Sequence, residues 1–245
     1  MTRLFFLIIL FYTPFVGAQT FRECLSIEND LEYIHLKSTL SDTSVDGFVE
    51  GGRVTHHYRY SRFGFTDSLY GGHGILTGED AFDDDVRVDY TEIDGEFWLT
   101  YLFCKEGYSV TPFIGWGVRH QKNKKTKPMK LELEINYIYL PIGVRLNTFF
   151  TPAVGLGAHF KADIPTYTWW KFNHPLFCEK SHDLEKCPAY EAKVWMTYWL
   201  APQWRAIIAG SFRYLPLLFP EDVAFSPEPK KQTNAGFRVG LDYHY

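Results

Sequence analysis

The feature that most constrains this chain is the unbroken alternation of its last nine residues, 237–245. Every second position is apolar or aromatic, and these positions hold Phe237, Val239, Leu241, Tyr243 and Tyr245. The positions between them hold Arg238, Gly240, Asp242 and His244. Successive side chains of a β-strand point to opposite faces, so the pattern predicts a strand with one apolar and one polar face. Taken alone, it fits a membrane barrel or an edge strand of a soluble β-protein.

The same nine residues resemble the closing strand of bacterial outer-membrane β-barrel proteins. In that class the last residue is an aromatic that the outer-membrane assembly machinery recognises. The resemblance implies that the five alternating residues from Phe237 to Tyr245 form a C-terminal assembly signal. The chain departs from the class only in ending on Tyr245, where Phe is commoner.

The N-terminus has the pattern of a secretory signal peptide. A short basic lead is followed by an apolar stretch from Leu4 to Val16, and small residues precede the predicted cleavage after Ala18. We therefore expect a signal peptide over residues 1–18, a periplasmic lead over 19–27 and a barrel over 28–245. No later apolar run is long enough to predict a membrane-spanning helix.

Segments of period two recur along the rest of the chain. They cover residues 28–40, 47–60, 66–77, 93–103, 110–119, 137–147, 154–164, 190–200 and 203–215. With the closing strand this gives about ten strands, and eight is the alternative. The connections alternate between short ones (104–108, 148–152, 201–203) and longer ones (78–90, 121–130, 165–189, 216–232). Short periplasmic turns and long outer loops are typical of outer-membrane barrels, so the predicted fold is an all-β, closed, antiparallel, up-and-down transmembrane barrel.

The predicted inward face is rich in charges of both signs. It comprises Asp94, Glu96, Arg119, Arg145, His159, Lys161, Asp163, Glu191, Lys193, Arg205, Arg213, Arg238, Asp242 and His244. A barrel of eight to ten strands is only wide enough inside for side chains or one small ligand. Unpaired buried ions are costly, so we expect these groups to pair and fill the interior. A narrow channel lined by charge is the alternative.

Two of the predicted outer loops hold candidates for contact with other molecules. The first carries Lys122, Lys124, Lys125, Lys127 and Lys130, and the second carries Trp169 and Trp170. Lipopolysaccharide phosphates or an acidic ligand on a host surface would suit the lysines. The many rings of the second loop indicate either a contact patch or strands that extend beyond the membrane. The whole chain has 25 basic and 29 acidic residues, which argues against a nucleic-acid partner.

The four cysteines of this exported chain favour disulfides. Cys178 and Cys187 fall in one predicted outer loop and are expected to pair. Cys24 and Cys104 both fall on the predicted periplasmic side and are the second candidate pair, with free or intermolecular thiols as the alternative. A bond across the membrane is excluded by distance.

Across most of its predicted mature length the chain resembles small outer-membrane barrels of the OmpA/OmpX-like class. The resemblance lies in the strand pattern and the two termini, so it transfers no functional residue. No motif of a hydrolase or metalloprotease occurs, and we predict no catalytic residue, no metal site and no cofactor. The expected role is that of an integral barrel of the bacterial outer membrane, in contact with lipid bilayer and lipopolysaccharide, with a filled interior and a structural or adhesion-type surface. The alternatives are an outer-membrane enzyme acting on lipid or peptide, and a narrow channel.

Overall fold

The computed structural model describes residues 21–38, 44–79, 85–105, 107–127, 131–174, 177–183, 187–217 and 230–245. The predicted signal peptide, Lys130 and residues 80–84 of the first predicted long connection lie outside these ranges. Within them, no helix is long and apolar enough to cross a membrane.

All regular elements of the described chain are β-strands. They are β1 (Phe21–Ser38), β2 (Ser44–Tyr60), β3 (Phe63–Glu79), β4 (Asp85–Tyr101), β5 (Phe103–Lys105), β6 (Tyr108–Lys127), β7 (Leu131–Phe149), β8 (Val154–His174), β9 (Phe177–Asp183), β10 (Ala189–Ala201), β11 (Trp204–Leu217) and β12 (Lys230–His244).

The strands form one closed antiparallel sheet in which sequence neighbours pair and β12 pairs with β1. The short β5 pairs only with β6. β9 pairs with residues 169–174 of β8, and β10 pairs with residues 154–163 of the same strand. Ten long strands therefore make the barrel wall, as the sequence predicted, and the alternative of eight is wrong.

The register fixes how strongly the strands tilt. Following hydrogen-bonded partners once around the wall from Arg22 leads to Ile34, which is 12 residues further along β1 (34 minus 22). In a ten-stranded barrel this stagger corresponds to a tilt of about 40°, and it leaves an interior that side chains can fill.

The predicted periplasmic lead over residues 19–27 is wrong from Phe21 onward, because β1 begins there. Residues 24–30 already alternate, with Ser26, Glu28 and Asp30 buried inside and Ile27 exposed outside. The sequence pattern did not predict the start of this strand, because its inward residues are polar or acidic rather than apolar.

The two ends of the barrel differ. At one end, which we call the turn end, the connections are residues 61–62, 102–107, 150–153 and 202–203. Two of these turns contain a residue with positive φ, Ser61 (56°) and Gly107 (80°), a conformation that a tight reversal requires. The short connections predicted for this side are confirmed.

At the other end, the extended end, the strands continue much further than predicted. Residues 85–90, 121–127 and 165–174, expected as loops, are parts of β4, β6 and β8. In β6 the apolar alternation is weak because both faces carry polar groups, as at inward Gln121 and Asn123 and outward Lys122 and Lys124. Extension of the strands, one of the two explanations offered for the aromatic-rich second loop, is therefore the correct one.

A β-bulge changes which side chains of β8 point inward. β8 carries one extra residue, Thr166, opposite the step from Ile138 to Tyr139. An extra residue in a two-residue repeat exchanges the faces beyond it. Trp169 consequently lies on the outside, whereas Trp170 is inside and only 1% exposed. The expectation that Trp170 is an outer contact residue is wrong.

The outer surface is mostly apolar and ends in aromatic side chains. Exposed aromatic side chains lie around the turn end; they are Phe103, Phe149, Phe150, Trp204 and Tyr245. The closing strand behaves as predicted: Phe237, Val239, Leu241 and Tyr245 are exposed, while Arg238 and Asp242 are buried.

Candidate functional site

The interior of the barrel is filled by three layers of side chains. An ionic layer occupies the middle. An apolar layer lies above it toward the extended end, and a basal layer of aromatic, histidine and arginine side chains lies below it toward the turn end. An interior site for a ligand, ion or substrate would lie within one of these layers.

Arg119 on β6 is the centre of one half of the ionic layer. Its guanidinium donates to Asp94 at 3.0 Å and to Asp163 at 3.1 Å, and lies 3.5 Å from Glu92. The Arg119 side chain is 1% exposed. A buried cation needs this many acceptors because burial removes it from bulk water.

Lys161 and Tyr139 complete this half. Lys161 contacts Glu96 directly and lies 3.3 Å from both Asp163 and Glu191. The Tyr139 hydroxyl lies 2.6 Å from Asp94 and 2.7 Å from Glu96. A hydroxyl has one proton, so it donates to one of these carboxylates at a time.

Gly117 makes room for the Tyr139 ring. A Cβ atom at position 117 would lie 2.2 Å from the Tyr139 Cζ atom, which is far inside van der Waals contact. The glycine is therefore required by the packing of the ionic layer rather than by backbone conformation.

The other half of the ionic layer joins β11 to β4, and joins β1 to β10 and β12. Arg213 donates to both oxygens of Glu92 at 2.7 and 2.8 Å, and Lys193 donates to Glu28 at 2.8 Å. Arg238 contacts Asp30 and lies 3.5 Å from Glu32.

Each buried carboxylate of the described interior has at least one cationic neighbour. The carboxylates are Glu28, Asp30, Glu32, Glu92, Asp94, Glu96, Asp163, Glu191 and Asp242. The predicted inward charges Asp94, Glu96, Arg119, Lys161, Asp163, Arg213, Arg238 and Asp242 are all buried.

The apolar layer closes the interior toward the extended end. One cluster contains Leu133, Ile135, Tyr137, Tyr139, Trp170, Ala189 and Leu215, and a second contains Ile34, Leu36, Val45, Val49, Leu76, Val86, Val88 and Tyr90. Gln121 and Gln232, both 0% exposed, hydrogen-bond each other at 3.0 Å between the two clusters. The described upper interior is therefore a packed core of the kind found in soluble proteins.

The basal layer contains the only three-residue arrangement in the described chain that could hold a metal ion. Ligand atoms of Cys24, Asp242 and His244 lie within 4.8 Å of one another, and the Cys24 sulfur is 3.6 Å from His244 Nε2. Arg205 donates to Asp242 at 2.8 Å, and Ser26 donates to it at 2.5 Å. The carboxylate is thus already neutralised by protein groups, which makes it a poor metal ligand.

The cysteine predictions have different outcomes. Cys24 and Cys104 are both free, so the predicted bond between them is not formed. Cys24 points into the barrel from β1, whereas Cys104 is exposed on β5, because the segment around Cys24 is a strand and not a lead. The Cys178 side chain lies outside the described residues, so its pairing with Cys187 stays a prediction.

The outer surface of the extended end holds the predicted contact residues. Lys122 donates to Glu132 at 2.7 Å and to Glu134 at 3.1 Å. These hydrogen bonds raise the pKa of Lys122 and lower that of Glu132. Lys124 is exposed and Lys125 half-buried. The side chains of Lys127 and Lys130 lie outside the described residues.

An aromatic pair lies on the same side of the barrel. The rings of Tyr167 and Trp169 are 5.2 Å apart between centroids, and Tyr167 is 50% exposed. The structure thus brings Trp169 near the level of the lysines but separates it from Trp170.

Several interior residues were not singled out from the sequence. They are Glu28, Asp30, Glu32, Arg53 and Glu92. The signal was present in β1, where three acidic residues recur at every second position. It was missed because the strand was expected to begin at residue 28 with imperfect alternation.

Fold and interior together define the class of this protein. A closed ten-stranded antiparallel barrel with an apolar, lipid-suited exterior and a filled polar interior is a bacterial outer-membrane β-barrel. The turn end faces the periplasm and the extended end faces the outside, as the lengths of the connections require.

Comparison with known proteins supports this class and goes no further than the fold. No protein-family model matches the sequence, and no curated protein is similar to it. The structure is similar to the outer-membrane protease OmpT from Escherichia coli, with a TM-score of 0.64 and 9% identity over 92% of this chain and 96% of that one. It also matches the transport unit of the autotransporter AIDA-I from Escherichia coli, with a TM-score of 0.47 and 9% identity over 96% of this chain and 93% of that one.

Proposed function

We propose that this protein is a non-conducting, non-enzymatic barrel that presents its extended end as a structural or adhesion-type surface outside the cell. The observation that carries the proposal is the filling of the interior. Paired ions occupy the middle layer, and an apolar core with Trp170, Ile135 and Leu76 at 0–1% exposure lies above them. An ion would have to break several buried ion pairs and enter an apolar core to pass.

The same observation supports a non-enzymatic role. OmpT is a protease, and a peptide or lipid substrate needs an open groove with available catalytic groups. In the described part of this barrel, the interior carboxylates contact arginine or lysine, and apolar side chains separate them from the outside. Turnover of lipid A or of a peptide panel by the purified barrel would contradict this part of the proposal.

Conductance is the direct test of the filled interior. The purified protein is inserted into planar bilayers, with a water-filled porin in the same bilayers as the positive control. We expect insertion, shown by heat-modifiable gel mobility of the recovered protein, without discrete current steps. Reproducible single-channel steps would refute the non-conducting interior.

The outward face of the extension supports a contact role. Trp169 and Tyr167 lie where an aromatic belt meets lipid headgroups, and Lys124 is exposed beyond them on the same side. This arrangement suits lipopolysaccharide, whose phosphates would attract the lysine while the rings lie at the level of the headgroups.

Lipopolysaccharide binding can be tested with a matched charge change. Lys124→Glu should weaken binding of purified lipopolysaccharide to the barrel in phospholipid nanodiscs. Lys37→Glu makes the same change at an exposed position on β1, far around the wall, and should leave binding unchanged. Equal effects of the two variants would show that only net charge matters and would remove the support for this surface.

A further inference from the structure

One arginine of the basal layer has no counter-ion within the described chain. Other interior cations each contact a carboxylate; they are Arg119, Lys161, Lys193, Arg205, Arg213 and Arg238. In the part of the chain that the structure describes, the Arg145 guanidinium contacts neither a carboxylate nor another hydrogen-bond acceptor. Its contacts are two indole rings, with Trp98 at 5.5 Å and Trp195 at 5.9 Å from the guanidinium carbon. Arg145 therefore departs from the pairing that organises the ionic layer.

The carboxylates of the lower interior already have partners of their own. Asp242 accepts hydrogen bonds from Arg205 at 2.8 Å and from Ser26 at 2.5 Å. Glu28 accepts one from Lys193 at 2.8 Å. A cation removed from bulk water without an opposite charge is unfavourable. The described interior thus leaves the charge of Arg145 to be balanced by an anion from outside the chain.

Two buried side chains beside Arg145 also have ring nitrogens without a hydrogen-bond partner. Trp98 is 6% exposed and its Nε1 atom has no partner, and His159 is 4% exposed and its Nε2 atom has none. His159 lies directly opposite Arg145 in the β7–β8 register, and its ring centroid is 5.4 Å from that of Trp98. Guanidinium and indole groups only donate, and a neutral imidazole donates from Nε2 in one of its two tautomers. What these three neighbouring groups lack is an acceptor.

Solvent reaches Arg145 from the periplasmic turn end. Arg145 is half-buried, and so are the inward residues beside and below it, which are Thr111, Asn147 and Gly157. Above it, Lys161 is the next inward residue of β8 after His159, and its side chain is only 2% exposed. A small solute can therefore approach Arg145 from the periplasm, whereas the ionic and apolar layers separate it from the outside.

We propose that the basal layer contains an oxyanion-binding site, formed by Arg145, Trp98 and His159, that takes a carboxylate or phosphate group from the periplasm. The planar guanidinium can donate two parallel hydrogen bonds to two oxygens of one such group. Trp98 and Trp195 come from β4 and β10, which lie on opposite sides of β7 in the sheet. Their rings exclude water around the guanidinium, which strengthens a hydrogen bond made there.

Arg205 has the same surroundings with its anion already in place. Its guanidinium carbon lies 5.4 Å from the centroid of the Trp199 ring, and its Nε atom donates to Asp242 at 2.8 Å. The basal layer thus contains two arginines beside indole rings, and the chain provides a carboxylate for one of them. An external oxyanion at Arg145 would make the second arrangement equivalent to the first.

The indole N–H signal of Trp98 provides a direct readout of the site. The purified barrel is labelled with ¹⁵N-tryptophan, placed in zwitterionic phospholipid nanodiscs, and titrated with sodium acetate or sodium phosphate against sodium chloride at constant ionic strength. We expect one indole signal, identified by its loss in Trp98→Phe, to shift saturably. Tighter binding of acetate would assign a carboxylate ligand, and tighter binding of phosphate would assign a ligand that carries a phosphate group.

Variants of the arginine test whether it binds the anion. Arg145→Gln removes the charge and should weaken binding about tenfold or more, because hydrogen bonds to charged groups are the strong ones. Arg87→Gln makes the same change at an exposed position of the extended end and should leave binding unchanged. Arg145→Lys keeps the charge without the planar pair of donors, so it should bind the oxyanion more weakly and lose the preference over chloride. Heat-modifiable mobility shows that each variant is folded.

Three results would overturn the proposal. One is a Trp98 signal that responds to chloride as strongly as to both oxyanions, which would indicate a nonspecific counter-ion. Another is the absence of a saturable shift with either acetate or phosphate. The third is unchanged affinity in Arg145→Gln or, where that variant does not fold, an unchanged preference for the oxyanion in Arg145→Lys.

Discussion

Removal of Arg119 is the perturbation for which the structure gives the clearest magnitude. In Arg119→Ala the carboxylates of Asp94, Asp163 and Glu92 lose a buried cation that lies 3.0, 3.1 and 3.5 Å away. Removing one partner of a buried ion pair costs about 3–5 kcal/mol, because it leaves the other charge buried and uncompensated.

The remaining contacts reduce this cost toward its lower limit. Asp94 keeps the Tyr139 hydroxyl at 2.6 Å, and Glu92 keeps a hydrogen bond from Arg213 at 2.7 Å. We therefore expect Arg119→Ala to lower the free energy of unfolding by about 3 kcal/mol, which is roughly a hundredfold in the folding equilibrium.

Urea unfolding in phospholipid vesicles, followed by tryptophan fluorescence, measures this free energy. The control is Arg87→Ala, which removes the same side chain type from an exposed pair: Arg87 and Asp89 lie 3.8 Å apart with side chains 50% and 36% exposed. Exposed pairs contribute about 0–1 kcal/mol. If the two variants differed by less than about 1 kcal/mol, the ionic layer could not be the tightly packed, buried structure inferred from the Arg119 contacts.

Three further outcomes are expected. Gly117→Ala should cost about 1–3 kcal/mol by displacing the Tyr139 ring, whereas Gly71→Ala, with open space for its methyl group, should be nearly neutral in the same unfolding assay. Trp170→Ala should cost about 3–5 kcal/mol by leaving a cavity in the apolar layer; a cost below about 1 kcal/mol would place this ring outside the core. Lys122→Ala should cost no more than about 1 kcal/mol at neutral pH, because both partners are partly exposed. Since Lys122 lowers the pKa of Glu132, that stabilisation is present above the ordinary carboxyl pKa and is lost as the pH falls through the lowered value, so parent and variant stabilities should converge in acid.

Some properties of this barrel follow from local sequence. A repeat of two residues assigns each side chain of a regular strand to one face, so the alternation of residues 237–245 was sufficient to place Arg238 and Asp242 inside. The same logic placed Arg119 and Lys161 inside, and the recurrence of such segments gave ten strands. The short turns at the periplasmic end also followed from sequence.

Other properties could not be predicted from local sequence, because one inserted residue exchanges the inward and outward faces of a strand. Thr166 inserts a bulge into β8, and the bulge exchanges the faces of Trp169 and Trp170. Beyond the membrane, strands with polar groups on both faces lose the apolar signal, so the extensions of β6 and β8 looked like loops. The start of β1 was missed for a related reason, because its inward face is acidic rather than apolar.

The sequence by itself determined that this chain closes into a barrel and that charges such as Arg119, Lys161 and Arg238 lie within it, because face and period are local properties of each strand. Only the tertiary structure decided the partners of those charges. Arg213 on β11 meets Glu92 on β4, a pair 121 residues apart, because closure and a stagger of 12 residues bring those two strands to the same level across the interior.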